Sequence, residues 1–230
     1  MAKKIVAKKS SGDKITRYIV IGMVVFVLAV GVIFSLVPNK SGNLTAIPSH
    51  VSQADGYGIV FNGELKGKPV VDLWEDFQCP VCARFEAADG SYMQQIIAQK
   101  KAKVVYHLLS FIGPESILAA NAGACASDAG KFLQFHSYLY THQGKENTGT
   151  WTDAVLVAAG KAVGITDSKF ADCVNQSAYS GWVTNISTDG VTKKINQTPT
   201  MLVNGKEINR GTDAASAYFD PNLLKSAIEG

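Results

Sequence analysis

The sequence predicts an α/β fold preceded by one transmembrane helix, and three observations carry that reading. A strand-like run, Val70-Val71-Asp72-Leu73-Trp74-Glu75-Asp76-Phe77, passes through a Cys-x-x-Cys into a helix and then into a second apolar run, Lys103 to Leu109. Residues 115–182 are rich in Ala, Leu and Lys and poor in β-branched runs, which reads as a helical block. After Gln197 the pattern returns to short strands around Asn204-Gly205. Strand, helix, strand is a βαβ unit, so the two strands are expected to lie parallel.

The N-terminal segment comes first in chain order. Residues 1–17 carry Lys3, Lys4, Lys8, Lys9, Lys14 and Arg17 against Asp13 alone, a net +5; the whole chain is +3, so the rest is −2. A nucleic-acid-binding domain needs its basic surface in the folded part, and this distribution excludes that class. No residue from Tyr18 to Asn39 is charged, and residues 18–38 are long enough to cross the hydrocarbon layer as a helix. Six cations before the run and only Lys40 close behind it put the N-terminus in the cytoplasm and the remainder outside. A cleaved signal peptide is the alternative, but Ser35-Leu36-Val37-Pro38 is a poor cleavage site. Residues 39–56, rich in Ser, Asn, Pro and Gly, read as a linker, and 57–230 as the folded domain.

Within that domain Gly58 to Phe61 reads as a short strand ending at the Asn62-Gly63 turn. The helix after the cysteines runs from Ala83 to about Lys100. The block is expected to hold helices over Ser116–Gln143, Trp151–Val163 and Asp167 to about Trp182. Thr198 to Ile208 reads as two short strands about Asn204-Gly205, and Pro221 opens a closing helix to Ile228.

The chemistry is expected at cysteine. There are four: Cys79, Cys82, Cys125 and Cys173. Cys79-Pro80-Val81-Cys82 sits where a strand gives way to a helix. The first turn of a helix has unsatisfied N–H groups and partial positive charge, which stabilises a thiolate at Cys79 and lowers its pKa. Pro80 suits the first helical position, where a missing N–H costs nothing. Cys82 lies one turn along the same face, close enough to form a disulfide with Cys79 and less exposed. A zinc knuckle is the other reading of Cys-x-x-Cys, but zinc wants a second close ligand pair, and Cys125 and Cys173 do not form one. No metal is therefore expected. Cys125 and Cys173 are expected to pair as a structural staple, with a second redox pair as the alternative. His107, His136 and His142 are assigned to packing or the surface. The three Asn-x-Ser/Thr patterns, at Asn43, Asn185 and Asn196, are taken as chance.

Three separated motifs resemble the DsbA family of thiol–disulfide oxidoreductases, especially its membrane-anchored Gram-positive and actinobacterial forms. They are Asp76-Phe77-Gln78-Cys79-Pro80-Val81-Cys82, the stretch Ala119 to His136, and Thr198-Pro199-Thr200, and the likeness spans about residues 57–230. The resemblance implies a thioredoxin-like fold with a helical insertion at about 112–190. It implies a cis bond at Pro199 and a substrate backbone pairing with Thr198. It also implies that Cys79 and Cys82 act as a redox-active disulfide with no other cofactor. The expected function is a dithiol oxidase of unfolded exported proteins, recharged by a quinone-linked membrane enzyme of DsbB or VKOR type. A disulfide reductase or isomerase is the alternative, and a thiol-based metal-binding module a further one. Two departures stand out. Many thioredoxin-fold enzymes place a buried acid six residues before the first cysteine, where this chain has Leu73; Glu75, on the same side of the strand, is the candidate proton relay, against the alternative of a solvated strand-end carboxylate. Val81 offers no positive charge beside the thiolate, which implies a less oxidising couple than the strongest members.

Overall fold

A computed structural model describes residues 46–208 and 218–230. The basic segment 1–17 and the apolar run 18–38 lie outside the described residues. Among those described, no helix is long and apolar enough to cross a membrane.

Among the described residues six strands form one sheet: β1 (Val51–Ser52), β2 (Gly58–Phe61), β3 (Val70–Glu75), β4 (Lys103–Leu108), β5 (Thr200–Val203) and β6 (Lys206–Glu207). Their order is β1-β2-β4-β3-β5-β6, so β3 is central. The βαβ unit is as expected: β3 and β4 pair in parallel, with Leu73 opposite Tyr106 and Glu75 opposite Leu108. The crossover is α1 (Pro80–Ala98). On its other side β3 pairs antiparallel with β5, Trp74 opposite Thr200. This pairing brings the Thr198–Pro199 segment, 119 residues away in sequence, to the strand end that carries the cysteines. The sheet also begins earlier than the expected linker allows, since β1 lies inside 39–56 and pairs with β2 through Val51 and Ile59.

The helical block comprises α2 (Pro114–Asp128), α3 (Phe132–Thr141), α4 (Asp153–Ala162), α5 (Ser168–Asn175) and α6 (Ser180–Thr192). Two expected helices are each divided. The stretch 116–143 breaks at Gly130, whose φ is +65°. There the Lys131 N–H reaches the Ala126 carbonyl at 2.9 Å and the Gly130 N–H reaches Ser127 at 2.9 Å, the Schellman ending that a glycine accommodates without Cβ conflict. The stretch 167–182 stops at Asn175 in the same way, with Ser177 at φ +49°, and α6 then continues to Thr192. The closing helix is α7 (Pro221–Glu229), capped by the Asp220 carboxylate.

Packing fixes these elements more than helix propensity does. Along α1 the residues Cys82, Phe85, Met93, Ile96 and Ile97 are buried, the 3–4 spacing of one helical face. Trp74, Trp151 and Trp182 are all enclosed, and each such side chain contributes roughly 2–3 kcal/mol of transfer free energy. The Trp182 indole N–H also donates to the Tyr57 carbonyl at 2.9 Å, pinning α6 to the segment before β2.

Candidate active site

The strand β3 stops at Glu75 because Asp76 turns the chain. Its Oδ1 accepts the Gln78 N–H at 2.9 Å, its carbonyl accepts the Cys79 N–H at 2.9 Å, and the Ser116 hydroxyl holds Oδ1 at 2.6 Å. An aspartate that bonds the backbone two residues on is a common turn former. Burial raises the Asp76 carboxyl above its ordinary range, and these hydrogen bonds oppose the shift. Cys79 is thereby set as the N-cap of α1, with Pro80 beginning the helix as expected.

The two thiols are unequal. Cys79 is 6% exposed and Cys82 not at all, and both are free. The pKa of Cys79 falls to about 6. Its hydrogen bond from Cys82 is the largest cause; burial opposes the shift, and the Thr198 side chain and the Cys82 and Val81 N–H groups add to the lowering. Burial drives the Cys82 thiol well above its ordinary value, aided by its bond to Cys79 and by the Glu75 charge. Val81, 36% exposed, stands beside the mouth.

Opposite Cys79 lies the Thr198-Pro199 peptide, which is cis. The Cys79 Sγ is 3.5 Å from the Thr198 carbonyl oxygen. Thr198 thus offers Cys79 both a carbonyl acceptor and a side-chain hydroxyl. The hydroxyl is the partner that favours the thiolate, because only a donor stabilises an anion.

Beneath the cysteines Glu75 is completely buried, which removes the reading of it as a solvated strand-end carboxylate. Its Oε2 is 2.8 Å from His136 Nε2, and burial, reinforced by the Cys79 charge, holds its pKa well above the usual carboxylate range. His136 was assigned to packing by sequence; it is buried on the α3 stripe Phe132, His136, Tyr140 but also makes this polar contact. No local pattern announces it, because the partner is 61 residues away. The other ring nitrogen, Nδ1, faces Glu86 Oε2 at 3.7 Å. Atoms of Glu75, Glu86 and His136 fall within 4.8 Å of one another. The two carboxylates address opposite nitrogens of the imidazole; the Glu75 contact is a hydrogen bond, and the Glu86 contact is a longer ion-pair approach.

The remaining predicted residues lie elsewhere. Cys125 and Cys173 form a disulfide joining α2 to α5. His107 stacks on Trp74 and reaches Asp72 at 3.0 Å, and His142 stacks on Tyr138. Gln143 was missed by sequence. Its amide donates to the carbonyls of Phe77 (2.8 Å) and Cys79 (3.1 Å), so the loop after α3 clamps the backbone that presents the cysteines. Asn147 extends the clamp by donating its N–H to Gln78 Oε1 at 2.7 Å.

A family model described as thioredoxin matches residues 55–220. The MdbA protein of Actinomyces oris, a thiol-disulfide oxidoreductase, superposes with TM-score 0.66 at 22% identity, covering 79% of this chain and 88% of that one, a likeness of fold. Oxidised DsbA from Mycobacterium tuberculosis gives 0.61 at 25% identity, covering 73% and 84%. Among curated proteins, the Na(+)/H(+) antiporter NhaA 1 of Mycolicibacterium gilvum is 28% identical over 160 residues, 66% of this chain but 25% of the antiporter. The chain spans about a quarter of the length of the curated relatives it matches.

Proposed function

This chain belongs to the thioredoxin family, and from that premise we infer that it is a protein thiol–disulfide oxidoreductase working as a dithiol oxidase through Cys79 and Cys82. One observation carries the reading: a thiol with a pKa near 6 caps α1 and faces a cis-proline loop, while its partner three residues on is sealed from solvent.

The mechanism follows from the asymmetry. A substrate thiolate attacks the Cys79 sulfur of the disulfide, the more exposed of the two, and Cys82 leaves with the electron pair. The substrate's second thiolate then attacks its own sulfur in the mixed disulfide, and Cys79 departs as an anion. The substrate leaves oxidised and the enzyme is left with a Cys79 thiolate and a Cys82 thiol. A low Cys79 pKa makes that departure easy and stabilises the reduced enzyme, which supports the oxidase direction over the reductase or isomerase one. The Thr198 backbone pairs with an extended substrate, a contact indifferent to side-chain sequence and so suited to unfolded polypeptides. Glu75 exchanges the proton of Cys82. No cofactor beyond the disulfide enters these steps.

Residues 18–38 anchor the domain outside the cytoplasm, and a quinone-linked membrane enzyme of DsbB or VKOR type restores the disulfide. The apolar run and its flanking cations support the first statement, and family likeness the second.

Equilibration of Cys79–Cys82 against glutathione buffers, with oxidation of a reduced protein substrate measured alongside, tests the direction. The expected result is a couple that oxidises the substrate and is itself reduced by glutathione. A couple that stays oxidised against reduced glutathione and refolds only scrambled substrate establishes the isomerase or reductase reading instead.

A further inference from the structure

Cys82 takes up a proton each time the Cys79–Cys82 bond opens and gives one back when it closes. Yet Cys82 has no exposed surface, and a substrate paired with Thr198, as inferred above, would cover the approach to Cys79, whose sulfur lies 3.5 Å from the Thr198 carbonyl. From Glu75 a line of polar atoms leads elsewhere. Glu75 Oε2 meets His136 Nε2 at 2.8 Å, and His136 Nδ1 faces Glu86 Oε2 at 3.7 Å. Glu86 lines a groove of about 280 Å³ between α1 and α3, together with Gly90, Gln94, Ser137 and Tyr140. That groove shares no lining residue with the Thr198–Pro199 loop.

A second observation points the same way. Gly90 lies inside α1, where glycine is less favourable than alanine because it gives up more backbone freedom on folding. A Cβ at that position would lie 2.4 Å from Glu86 Oε2. The missing side chain is what lets the Glu86 carboxylate occupy its place beside the ring.

Building on the oxidoreductase reading, we propose that Glu75, His136 and Glu86 form a proton path connecting Cys82 to solvent through the α1–α3 groove. Cys82 therefore stays in proton equilibrium with bulk water while substrate covers the mouth. When substrate thiolate attacks Cys79, the Cys79–Cys82 bond breaks, a bond from Cys79 to the substrate sulfur forms, and Cys82 leaves as a thiolate. Glu75 gives that thiolate a proton through one intervening water, since the two make no direct hydrogen bond among the described residues. His136 passes its Nε2 proton to Glu75 and takes one at Nδ1 from Glu86 when that carboxyl closes the 3.7 Å gap to hydrogen-bond distance, and water in the groove reprotonates Glu86. Imidazole suits the middle position because it accepts at one nitrogen while donating from the other. Closing the disulfide runs the steps in reverse.

The groups facing this path are Tyr106 from β4, Tyr140 from α3 and Asp89 from α1, besides the two cysteines. Burial raises Glu75 and, with the Glu75 charge as a second cause, raises Glu86 to about 8, while burial lowers His136; burial favours the uncharged form at each position along the line. His136 and Glu86 are positioning and proton-passing residues; neither touches substrate.

Stopped-flow oxidation of a dithiol peptide by the full chain, in H₂O and D₂O, tests the path. Glu86→Gln is expected to slow the reaction at least tenfold and raise its solvent isotope effect, with the pH midpoint of Cys79 alkylation unchanged. Gly90→Ala is expected to slow it likewise by pushing the carboxylate aside, although alanine favours the helix. In Glu86→Ala, which opens the groove, added imidazole is expected to restore the rate in proportion to its concentration. Wild-type kinetics in Glu86→Gln, or a loss in Glu86→Ala that imidazole does not repair, overturns the path and leaves the enzyme reading intact. A wild-type chain that fails to exchange with the peptide overturns both.

Discussion

The sulfur of Cys79 and the carbonyl oxygen of Thr198 lie 3.5 Å apart, although 119 residues separate them in the chain. The antiparallel pairing of β3 with β5 makes the contact, and the Thr198 side chain adds a hydrogen bond that lowers the Cys79 pKa. Thr198→Val keeps the shape and the carbonyl but removes the donor. The pH midpoint of Cys79 alkylation by iodoacetamide is expected to move upward from about 6, so that alkylation at pH 6 slows several-fold. An unmoved midpoint shows that the hydroxyl has no part in holding the thiolate.

The same lowered pKa makes stability depend on both redox state and pH. The Cys79 pKa is about 6 in the folded reduced protein and near the ordinary thiol value of 9.0 when unfolded. A depressed folded pKa contributes stability that is complete above the unfolded value and is lost as pH falls through the folded value. The reduced form is therefore expected to gain stability relative to the oxidised form between pH 6 and pH 9, and to lose that gain below pH 6. Urea unfolding of both forms at pH 5, 7 and 9 reads the difference directly. A difference independent of pH would mean that Cys79 is not ionised in the folded state.

Much of this architecture is legible in the sequence because its cues are local. The βαβ unit, the Asn204-Gly205 turn and the Pro80 helix start each rest on residues within a few positions of one another, and the fold has them where expected. The helix breaks after Asp128 and Asn175 were missed. Gly130 is a known C-terminal signal embedded in an otherwise helical stretch, and Ser177 adopts positive φ with no sequence cue at all. At the site, the cysteines and the cis-proline segment are readable as motifs. His136, Glu86 and Gln143 are not, because each acquires its role from a partner that only tertiary packing supplies. A histidine in an apolar stripe gives the same sequence signal whether or not a buried carboxylate lies across from it.

The Cys125–Cys173 bond closes a loop over a sequence separation of 48 within the helical block, joining α2 to α5. On the chain-entropy account a loop of that length contributes about 4 kcal/mol. Replacing both cysteines with alanine is expected to lower the unfolding free energy by about that amount, read from urea midpoints, while leaving the Cys79 alkylation profile and the rate of peptide oxidation near wild type. A large loss of exchange activity in a variant that remains folded would mark the pair as redox-active rather than structural.

Glu75 sets stability against function. Its carboxyl is fully buried, its Oε1 has no hydrogen-bond partner among the described residues, and burial raises its pKa well above 4.5. For an acid raised in this way, stability is complete below the unfolded pKa and falls as pH rises toward the folded one, because the unfolded chain gains a charge that the folded chain resists. Glu75→Gln removes that dependence. The variant is expected to match wild type in urea unfolding at pH 4 and to exceed it at pH 8. It also removes the carboxyl that bonds His136 and raises the Cys82 thiol, so the same variant is expected to oxidise a dithiol peptide at least tenfold more slowly. Gain of stability with loss of rate in one substitution identifies a buried acid retained for proton transfer; gain of stability at full rate would show that Cys82 exchanges its proton by another route.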